Sequence, residues 1–281
     1  MTAASTVAAR PEGRRARTIA LTAVAVLPLL VALAGPLIAP HTLDTPVTAP
    51  FAAPADGAVL GGDQLGRDVL SRVLHGGTLL IGSAFLVAVV ITLAATLVGI
   101  TAVLRPVLGR AVERSADIAI LLPPLLGIML IALAWPGGGR WAVIAAAIVL
   151  GTPYAVRVVA SAASPLTTAG YVEAALTRGE STTYIALREI LPNLRGTLLT
   201  LFGLRFVEAF YVIAMAGFLQ IGPQPPASDW SLMVRENASG ILLNPWAVIA
   251  PSLAIALLAI TANLATLALA PESTAKAVTR S

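Results

Sequence analysis

The chain has 281 residues, of which 57% are hydrophobic and 11% charged, so a water-soluble globule with a charged surface is excluded and an all-α polytopic membrane protein is predicted. Without Cys there are no disulfides, thiolate metal sites or Cys nucleophiles, and the two His residues, His41 and His75, lie too far apart for metal-ligand spacing. The net charge of +4 comes from Arg residues at the ends of apolar segments, a pattern typical of membrane topology and not of nucleic-acid binding.

Six apolar stretches are long enough to cross the hydrocarbon core of a bilayer. Crossing roughly 30 Å as a helix takes about 20 residues. The stretches are Thr18–Ala39, Thr78–Leu104, Ser115–Ala134, Trp141–Ala163, Gly196–Leu219 and Trp246–Ala270. We therefore predict a transmembrane domain over residues 18–270, with outer segments at 41–77 and 220–245 and with tails at 1–17 and 271–281.

The first apolar stretch also has features of a cleaved signal peptide. It follows an Arg-rich start, and Ala32-Leu33-Ala34 precedes Gly35 in a pattern typical of a cleavage site. Its apolar run of about twenty residues is long for a signal core, which favours a membrane span. The later spans keep their direction under either interpretation.

Before the second span, the segment Gly61–Arg72 reads GGDQLGRDVLSR. This GRD segment resembles the sequence GTDxLGRDxLSR of the C-type permeases of dipeptide, oligopeptide and nickel ABC importers, with Gly62 in place of Thr. Its candidate site residues are Asp63, Gly66, Arg67 and Asp68. An amphipathic interfacial helix with locally paired charges is the alternative. For these residues the resemblance suggests a role in docking an extracytoplasmic binding protein or in bracing the outer gate.

The most informative part of the chain is a polar segment between the fourth and fifth spans, residues 164–195, here called the EAA segment. Gly179 follows Glu173 by six residues, and Leu191-Pro192 come eighteen and nineteen residues after the Glu. This spacing resembles the EAA loop of bacterial ABC importer permeases, on which the membrane subunit contacts its ATPase. The predicted ATPase-coupling residues are Glu173, Ala174, Ala175, Gly179, Leu191 and Pro192. An ordinary connector with a helical hairpin is the alternative.

Local propensities predict two short helices in the EAA segment. We expect Thr168 or Gly170 to cap the first, with Glu173 in the first turn, where a carboxylate suits the positive end of the helix dipole. Gly179 permits the backbone conformation of a tight reversal.

The second short helix is expected to start at Ser181 or Thr182. Pro192 is expected to end it, because proline interrupts helical hydrogen bonding. Its predicted apolar stripe consists of Tyr184, Leu187 and Ile190.

Four charged residues fall within the predicted spans and are the candidate residues of the translocation path, because a charge at the bilayer centre costs about 2.5 to 3.5 kcal/mol and needs an explanation. Asp117 and Arg157 lie within about two turns of the cytoplasmic boundary and can extend towards water. Arg205 lies roughly 14 Å deep, and Glu208 is one turn further, on the same face. Two interpretations of this pair stay open: a structural ion pair facing a partner subunit, or a lining of the translocation path that contacts charged peptide termini.

The distribution of basic residues predicts the orientation, because Lys and Arg are retained on the cytoplasmic face. With both termini inside, twelve of the 18 Lys and Arg residues lie in inner segments and two within spans. The four in outer segments are Arg67, Arg72, Arg140 and Arg235. The EAA segment is therefore predicted to be cytoplasmic.

After the fifth span, Phe218–Trp230 reads FLQIGPQPPASDW and resembles the pattern FLGLGxxPPxPxWG of the same permeases. The chain departs from it at Gln220 and Ser231, where Gly is usual. Ile213 also occupies a position that is commonly Glu. These departures weaken any transfer of substrate contacts from the family to the fifth span.

The resemblance implies the type I ABC importer permease fold and a set of partners: a homologous B-type permease, two cytoplasmic ATPase domains or subunits, and an extracytoplasmic substrate-binding protein. It implies that those ATPases use ATP and Mg, and that this chain is a non-catalytic subunit with no cofactor of its own. The sequence has no GxxxxGK[ST] motif for a nucleotide site. The expected location is the bacterial cell membrane, with multiple passes and both termini in the cytoplasm.

Short peptides are the predicted cargo, because they are the commonest substrates of this subfamily, and nickel or another small solute is the alternative. A gradient-driven secondary transporter or channel is the rival of another class. Such a protein is expected to have inverted repeats with interrupted spans or a run of intramembrane carboxylates, and the sequence has neither.

Overall fold

The computed structural model describes residues 29–30 and 32–269, and this part of the chain is all-helical. Its α-helices of eight or more residues are α1 (Val69–Leu104), α2 (Pro106–Leu121), α3 (Pro124–Ala134), α4 (Gly139–Ala163), α5 (Gly170–Thr177), α6 (Arg195–Phe218), α7 (Trp230–Asn237) and α8 (Trp246–Leu269). Residues 32–38 are also helical. Extended pairing among the described residues is limited to isolated bridges such as Gly62 with Asp68.

Four helical stretches of the described residues are long and apolar enough to cross a membrane: Val69–Leu104, Gly139–Thr168, Thr182–Phe218 and Trp246–Thr266. They correspond to the second, fourth, fifth and sixth predicted spans. The first predicted span, Thr18–Ala39, and the possible signal peptide lie mostly outside the described residues. The tails at 1–17 and 271–281 lie entirely outside them.

The third predicted span, Ser115–Ala134, is wrong as a single helix. The chain bends by 93° between Val107–Ala119 and Pro124–Ala134, which together form a broken candidate span. Leu122 has extended backbone angles, and two prolines follow it. Proline lacks an N–H and disfavours helical geometry in the residue before it, so the pair ends α2 and starts α3.

The second predicted span begins earlier than expected. Helix α1 starts at Val69, nine residues before the predicted boundary at Thr78, because Asp68 caps it. The Asp68 carboxylate accepts hydrogen bonds from the backbone N–H groups of Leu70, at 3.3 Å, and Ser71, at 3.0 Å. With 36 residues, α1 is about 54 Å long at 1.5 Å per residue. Its N-terminal end lies in the GRD segment, and its C-terminal end contacts the EAA segment.

Helix α1 lies at the centre of the bundle and packs mainly against α4 and α6. Small residues allow the close approach of these helices, as is usual in membranes. A Cβ on Gly99 would lie 2.9 Å from Val159 of α4, and a Cβ on Gly151 would lie 2.8 Å from Ile91 of α1. A side chain on Gly99 would therefore press on the stiff Val159, whereas one on Gly151 would require Ile91 to move.

Candidate functional site

The first half of the EAA segment is a short helix followed by a reversal. Helix α5 begins after Ala169, which has no side-chain cap, so the predicted caps Thr168 and Gly170 are wrong. Glu173 lies in the first turn and is exposed, as expected. Gly179 then adopts a φ of +75°, a left-handed conformation that favours glycine. A Cβ there would meet no atom within 4 Å, so backbone geometry alone calls for glycine.

The second half starts at the predicted cap but does not stop where predicted. The Ser181 hydroxyl accepts a hydrogen bond from the Tyr184 N–H at 3.2 Å. One helical turn, Thr182–Tyr184, continues as a π-helix over Ile185–Ile190 and a 3₁₀ turn over Leu191–Leu194, and leads directly into α6.

The expectation that Pro192 ends the helix is therefore wrong. The change of helical pitch around this residue lets the chain pass a position that has no N–H to donate. Two local side-chain bonds support the turn, from Asn193 Nδ2 to the Glu189 carbonyl at 2.7 Å and from Arg195 Nε to the Pro192 carbonyl at 2.8 Å.

The π-helix also changes which side chains face the bundle. Ile185 and Ile190, five residues apart as in one π turn, are both fully buried. The prediction that Tyr184, Leu187 and Ile190 form one stripe is thus wrong, because Ile190 is buried whereas Tyr184 and Leu187 are exposed. On α5, Val172 and Ala175 are buried in the same apolar core. These four residues anchor the EAA segment to the transmembrane helices.

The opposite face of the EAA segment is exposed and partly apolar. Of the predicted coupling residues, Glu173, Ala174, Gly179 and Pro192 are exposed, Leu191 is half-buried and Ala175 is buried. The exposed apolar neighbours are Tyr171, Leu176, Tyr184 and Leu187, of which only Tyr184 and Leu187 were named from the sequence, as members of the predicted stripe. In the sequence these apolar residues alternate with charged residues, and this amphipathic pattern could have indicated a contact surface. An apolar face rimmed by charge is typical of a protein contact surface.

A second candidate site is a cleft between the break of α2 and α3, helix α4 and helix α6. Arg205 and Glu208 of α6 both line it, and Arg205 Nη1 lies 2.6 Å from Glu208 Oε2, so the pair expected from their spacing forms. The guanidinium of Arg205 also lies over the ring of Tyr154, with Cζ 5.1 Å from the ring centroid. The cleft encloses about 610 Å³, including space open to solvent.

A second intramembrane ion pair lies beside this cleft. Arg157 Nη1 of α4 donates to Asp117 Oδ1 of α2 at 2.8 Å, and both side chains are at least half exposed. Arg157 lies one turn beyond Tyr154 on α4, so the two side chains lie on the same face of that helix. Charged side chains do not face lipid without a large cost. This face of the chain is therefore covered by water or by another protein.

The GRD segment builds a buried network of charges. Asp63 Oδ2 accepts from Arg67 Nε and from Arg72 Nη1, both at 2.7 Å. Arg72 Nη1 also lies 3.1 Å from Glu236 Oε2 of α7. All four side chains are almost completely buried. This GRD cluster (Asp63, Arg67, Arg72, Glu236) joins the 41–77 segment to the 220–245 segment.

The remaining residues of the GRD segment support the same joint. Residues 61–68 form a loop and not the interfacial helix offered as the alternative. Gly66 has a φ of +74°, and a Cβ there would lie 2.1 Å from the Thr48 carbonyl oxygen. Asp68 pairs with His41, at 3.3 Å, and not with Arg67. Because the charged side chains are buried, the geometry favours bracing over direct docking of a binding protein.

Helix α7 is held against α1 by polar contacts that sequence reasoning missed. The Trp230 indole N–H donates to the Val73 carbonyl, and the Ser228 hydroxyl donates to the Arg72 carbonyl, both at 2.6 Å. Asp229 caps α7 by accepting from the N–H groups of Ser231 and Leu232. Burial raises the pKa of the Asp229 carboxyl, although its hydrogen bonds with Ser231 and Leu232 oppose this shift.

Comparison with known proteins gives consistent similarities. Residues 91–274 match the family model described as "binding-protein-dependent transport system inner membrane component". The chain is 36% identical over 211 residues to the di/tripeptide transport system permease protein DppC of Pseudomonas aeruginosa, covering 73% of this chain and 68% of the relative. It is 35% identical over 211 residues to the peptide transport system permease protein SapC of Salmonella typhimurium, with 73% and 69% covered. It is 29% identical over 212 residues to the glutathione transport system permease protein GsiD of Pectobacterium atrosepticum, with 75% and 70% covered.

Proposed function

The chain belongs to the family of binding-protein-dependent transport system inner membrane components, and we propose from this premise that it forms one half of the translocation pathway of an ATP-driven importer of short peptides. The relatives named above are permease proteins of peptide, di/tripeptide and glutathione transport systems. These names favour peptides over nickel as the cargo.

The observation that carries the proposed mechanism is the two-sided EAA segment. One face is locked into the transmembrane core by Ile185 and Ile190, while the other leaves Leu176 and Leu187 exposed among charges. A segment that is rigidly joined to the bundle and apolar on its free side suits the transmission of movement from a partner. We propose that the ATPases bind this face and that Glu173, Ala174, Gly179 and Pro192 lie in the contact.

ATP hydrolysis itself belongs to those partners in our proposal, since the chain has no nucleotide-binding motif. Mg acts with ATP on the ATPases, and this chain is a non-catalytic subunit. The half-exposed intramembrane pairs, Arg157 with Asp117 and Arg205 with Glu208, need a cover. A homologous second permease provides it and completes the pathway, and an extracytoplasmic binding protein delivers the peptide.

The proposed orientation places both termini and the EAA segment in the cytoplasm of a bacterial cell. It is supported by the excess of basic residues in the inner segments. The long helix α1 separates the EAA segment from the GRD cluster, so the GRD cluster then lies on the outer face. There it braces the two segments that a binding protein meets.

Reconstitution tests the proposal directly. The chain would be co-expressed with the proposed partner permease, ATPases and binding protein, and the purified complex placed in liposomes with tritiated dialanine. We expect accumulation of dialanine that requires ATP and the binding protein and stops with orthovanadate. Uptake that needs only an ion gradient, or no uptake at all, would contradict the proposal.

A further inference from the structure

We infer that the cleft around Arg205 binds the free carboxylate of the peptide in transit, and that Glu208 is the counter-ion that occupies Arg205 when no peptide is there. The inference rests on the proposed function, because it assigns a step within the same pathway. It concerns three groups that meet in one place: Arg205, Tyr154 and the start of α3.

Arg205 is held in a way that leaves one of its buried donors unpaired. The residue is only 9% exposed, and Tyr154 covers its guanidinium from one side. Nη1 is paired with Glu208, but the buried Nε has no hydrogen-bond partner. An orphaned N–H costs free energy in a buried site. A carboxylate suits the fork of a guanidinium because it accepts two parallel N–H bonds.

The broken helix adds a second positive end to the cleft. Pro124, the first residue of α3, lines the cleft, and no side chain caps this end of the helix. The positive end of the dipole of an eleven-residue helix therefore faces the same space as Arg205. Interrupted membrane helices commonly direct their half-helix N-termini at the anionic groups of transported substrates. The buried guanidinium is independent support for an anion here.

The asymmetry of the ion pair shows how a peptide can enter. The Glu208 side chain is 46% exposed, whereas that of Arg205 is 10% exposed. Glu208 can thus turn into the pathway that the second permease completes, but Arg205 is confined by Tyr154 and Gly151. A peptide carboxylate that replaces Glu208 keeps Arg205 neutralised during passage. When the peptide leaves, Glu208 returns, so the carboxylate is not trapped on a buried cation.

The cleft is large enough for the end of a peptide and not for a whole peptide. Its accessible volume is about 220 Å³, below the range of about 300 to 1,000 Å³ that is usual for sites that enclose a small molecule. Its other walls are apolar or small, with Leu122, Leu150 and Gly151. Such walls do not select side chains. The site would therefore recognise the terminus shared by all short peptides and leave side-chain selection to the binding protein.

The test measures direct binding of dialanine to the purified importer. The binding protein is left out, so that its own substrate preference does not affect the measured affinity. Tritiated dialanine is bound at equilibrium and displaced by unlabelled dialanine or by dialanine amide, which lacks the free carboxylate. The variants are Arg205→Gln, Arg205→Lys and Glu208→Gln. Arg110→Gln, at an exposed position on α2, is the matched control.

We expect the wild type and Arg110→Gln to bind dialanine at least about tenfold more tightly than the amide, in keeping with one charge-assisted contact. Arg205→Gln should lose this preference, and Arg205→Lys should retain part of it. Glu208→Gln should bind dialanine more tightly, because the competing carboxylate is gone. Opposite effects at the two positions distinguish a binding site from a structural ion pair, whose two members would weaken binding alike.

Three results would overturn the inference: equal binding of dialanine and its amide by the wild type, an unchanged preference in Arg205→Gln, or weaker binding in Glu208→Gln. Absence of wild-type dialanine binding would overturn it as well. None of these binding results bears on the proposed function. The proposed function fails only if the reconstituted wild type does not accumulate dialanine in an ATP-dependent way.

Discussion

Arg205 and Glu208 form an ion pair of 2.6 Å one turn apart on α6, yet the arginine is buried and the glutamate is half exposed. A pair made only for stability would be expected to be enclosed on both sides. The unequal exposure places one charge inside this chain and the other on the surface that the second permease is proposed to complete. This surface is the one that we assign to the pathway.

The first prediction concerns the role of this pair. Replacing both Arg205 and Glu208 with Leu should leave the complex assembled, because no unpaired charge remains in the membrane, but should reduce dialanine uptake and remove the preference for dialanine over dialanine amide. The single variant Glu208→Leu should destabilise the complex more than the double variant, since it leaves a buried cation alone. Thermal unfolding and uptake are measured together. Unchanged uptake and preference in an assembled double variant would exclude the lining role.

The second prediction concerns the GRD cluster. Asp63→Asn removes the carboxylate shared by Arg67 and Arg72, and breaking a buried ion pair typically costs about 3 to 5 kcal/mol. The Tm of the purified complex should fall clearly. Asp56→Asn, the same change at an exposed position, should leave Tm unaffected. Equal Tm values for the two variants would show that the cluster does not brace the fold.

The third prediction concerns the reversal in the EAA segment. Gly179→Val forces a β-branched residue into a left-handed conformation, at a cost of roughly 1 to 3 kcal/mol, whereas Gly179→Asn is tolerated better. ATP-driven uptake should decline strongly with Val and little with Asn. Gly170→Val is the control, because Gly170 is also exposed, has open space around it and lacks a positive φ. If the three variants transported equally, the geometry of this turn would have no part in coupling.

The fourth prediction concerns pH. Because burial raises the pKa of Asp229 above that of an unfolded aspartate, the folded protein binds the proton more tightly than the unfolded chain does. The stability contributed by this group is therefore fully present below the ordinary carboxyl pKa of 3.8 and is lost as the pH rises through the raised value. Asp229→Asn keeps the helix cap without an ionisable group. With rising pH, the Tm of this variant should increase relative to the Tm of the wild type. A difference in Tm that stays constant with pH would refute the raised pKa of Asp229.

Much of the fold was predictable from the sequence, because span length and the positions of caps are local properties. Four predicted spans, the Ser181 cap and the reversal at Gly179 all follow from neighbouring residues. The break at Pro123-Pro124 was missed because the apolar run continues through it, and hydropathy does not register the missing N–H groups. The passage of the helix through Pro192 was missed because a single π turn is too short to repeat its five-residue spacing in the sequence.

The sites were less predictable, because their partners are distant in the chain. Glu236 completes the GRD cluster from 164 residues beyond Arg72, and Tyr154 reaches Arg205 from another helix. Sequence spacing identifies pairs within one helix, such as Arg205 with Glu208, but not pairs that depend on packing. The exposed apolar face of the EAA segment could not be assigned from the sequence, because it depends on the burial of Ile185 and Ile190 on the opposite side.

Contact between the EAA segment and an ATPase is the central claim, and co-purification tests it most directly. Leu176→Glu places a charge on the exposed apolar face of α5, where Leu176 is 55% exposed. Leu242→Glu makes the same change in the 220–245 segment, where the side chain is 96% exposed. Affinity-purified wild type and Leu242→Glu should bring down the ATPase in equal amounts, and Leu176→Glu should lose most of it. Equal recovery of the ATPase with all three proteins, or none with the wild type, would contradict the account.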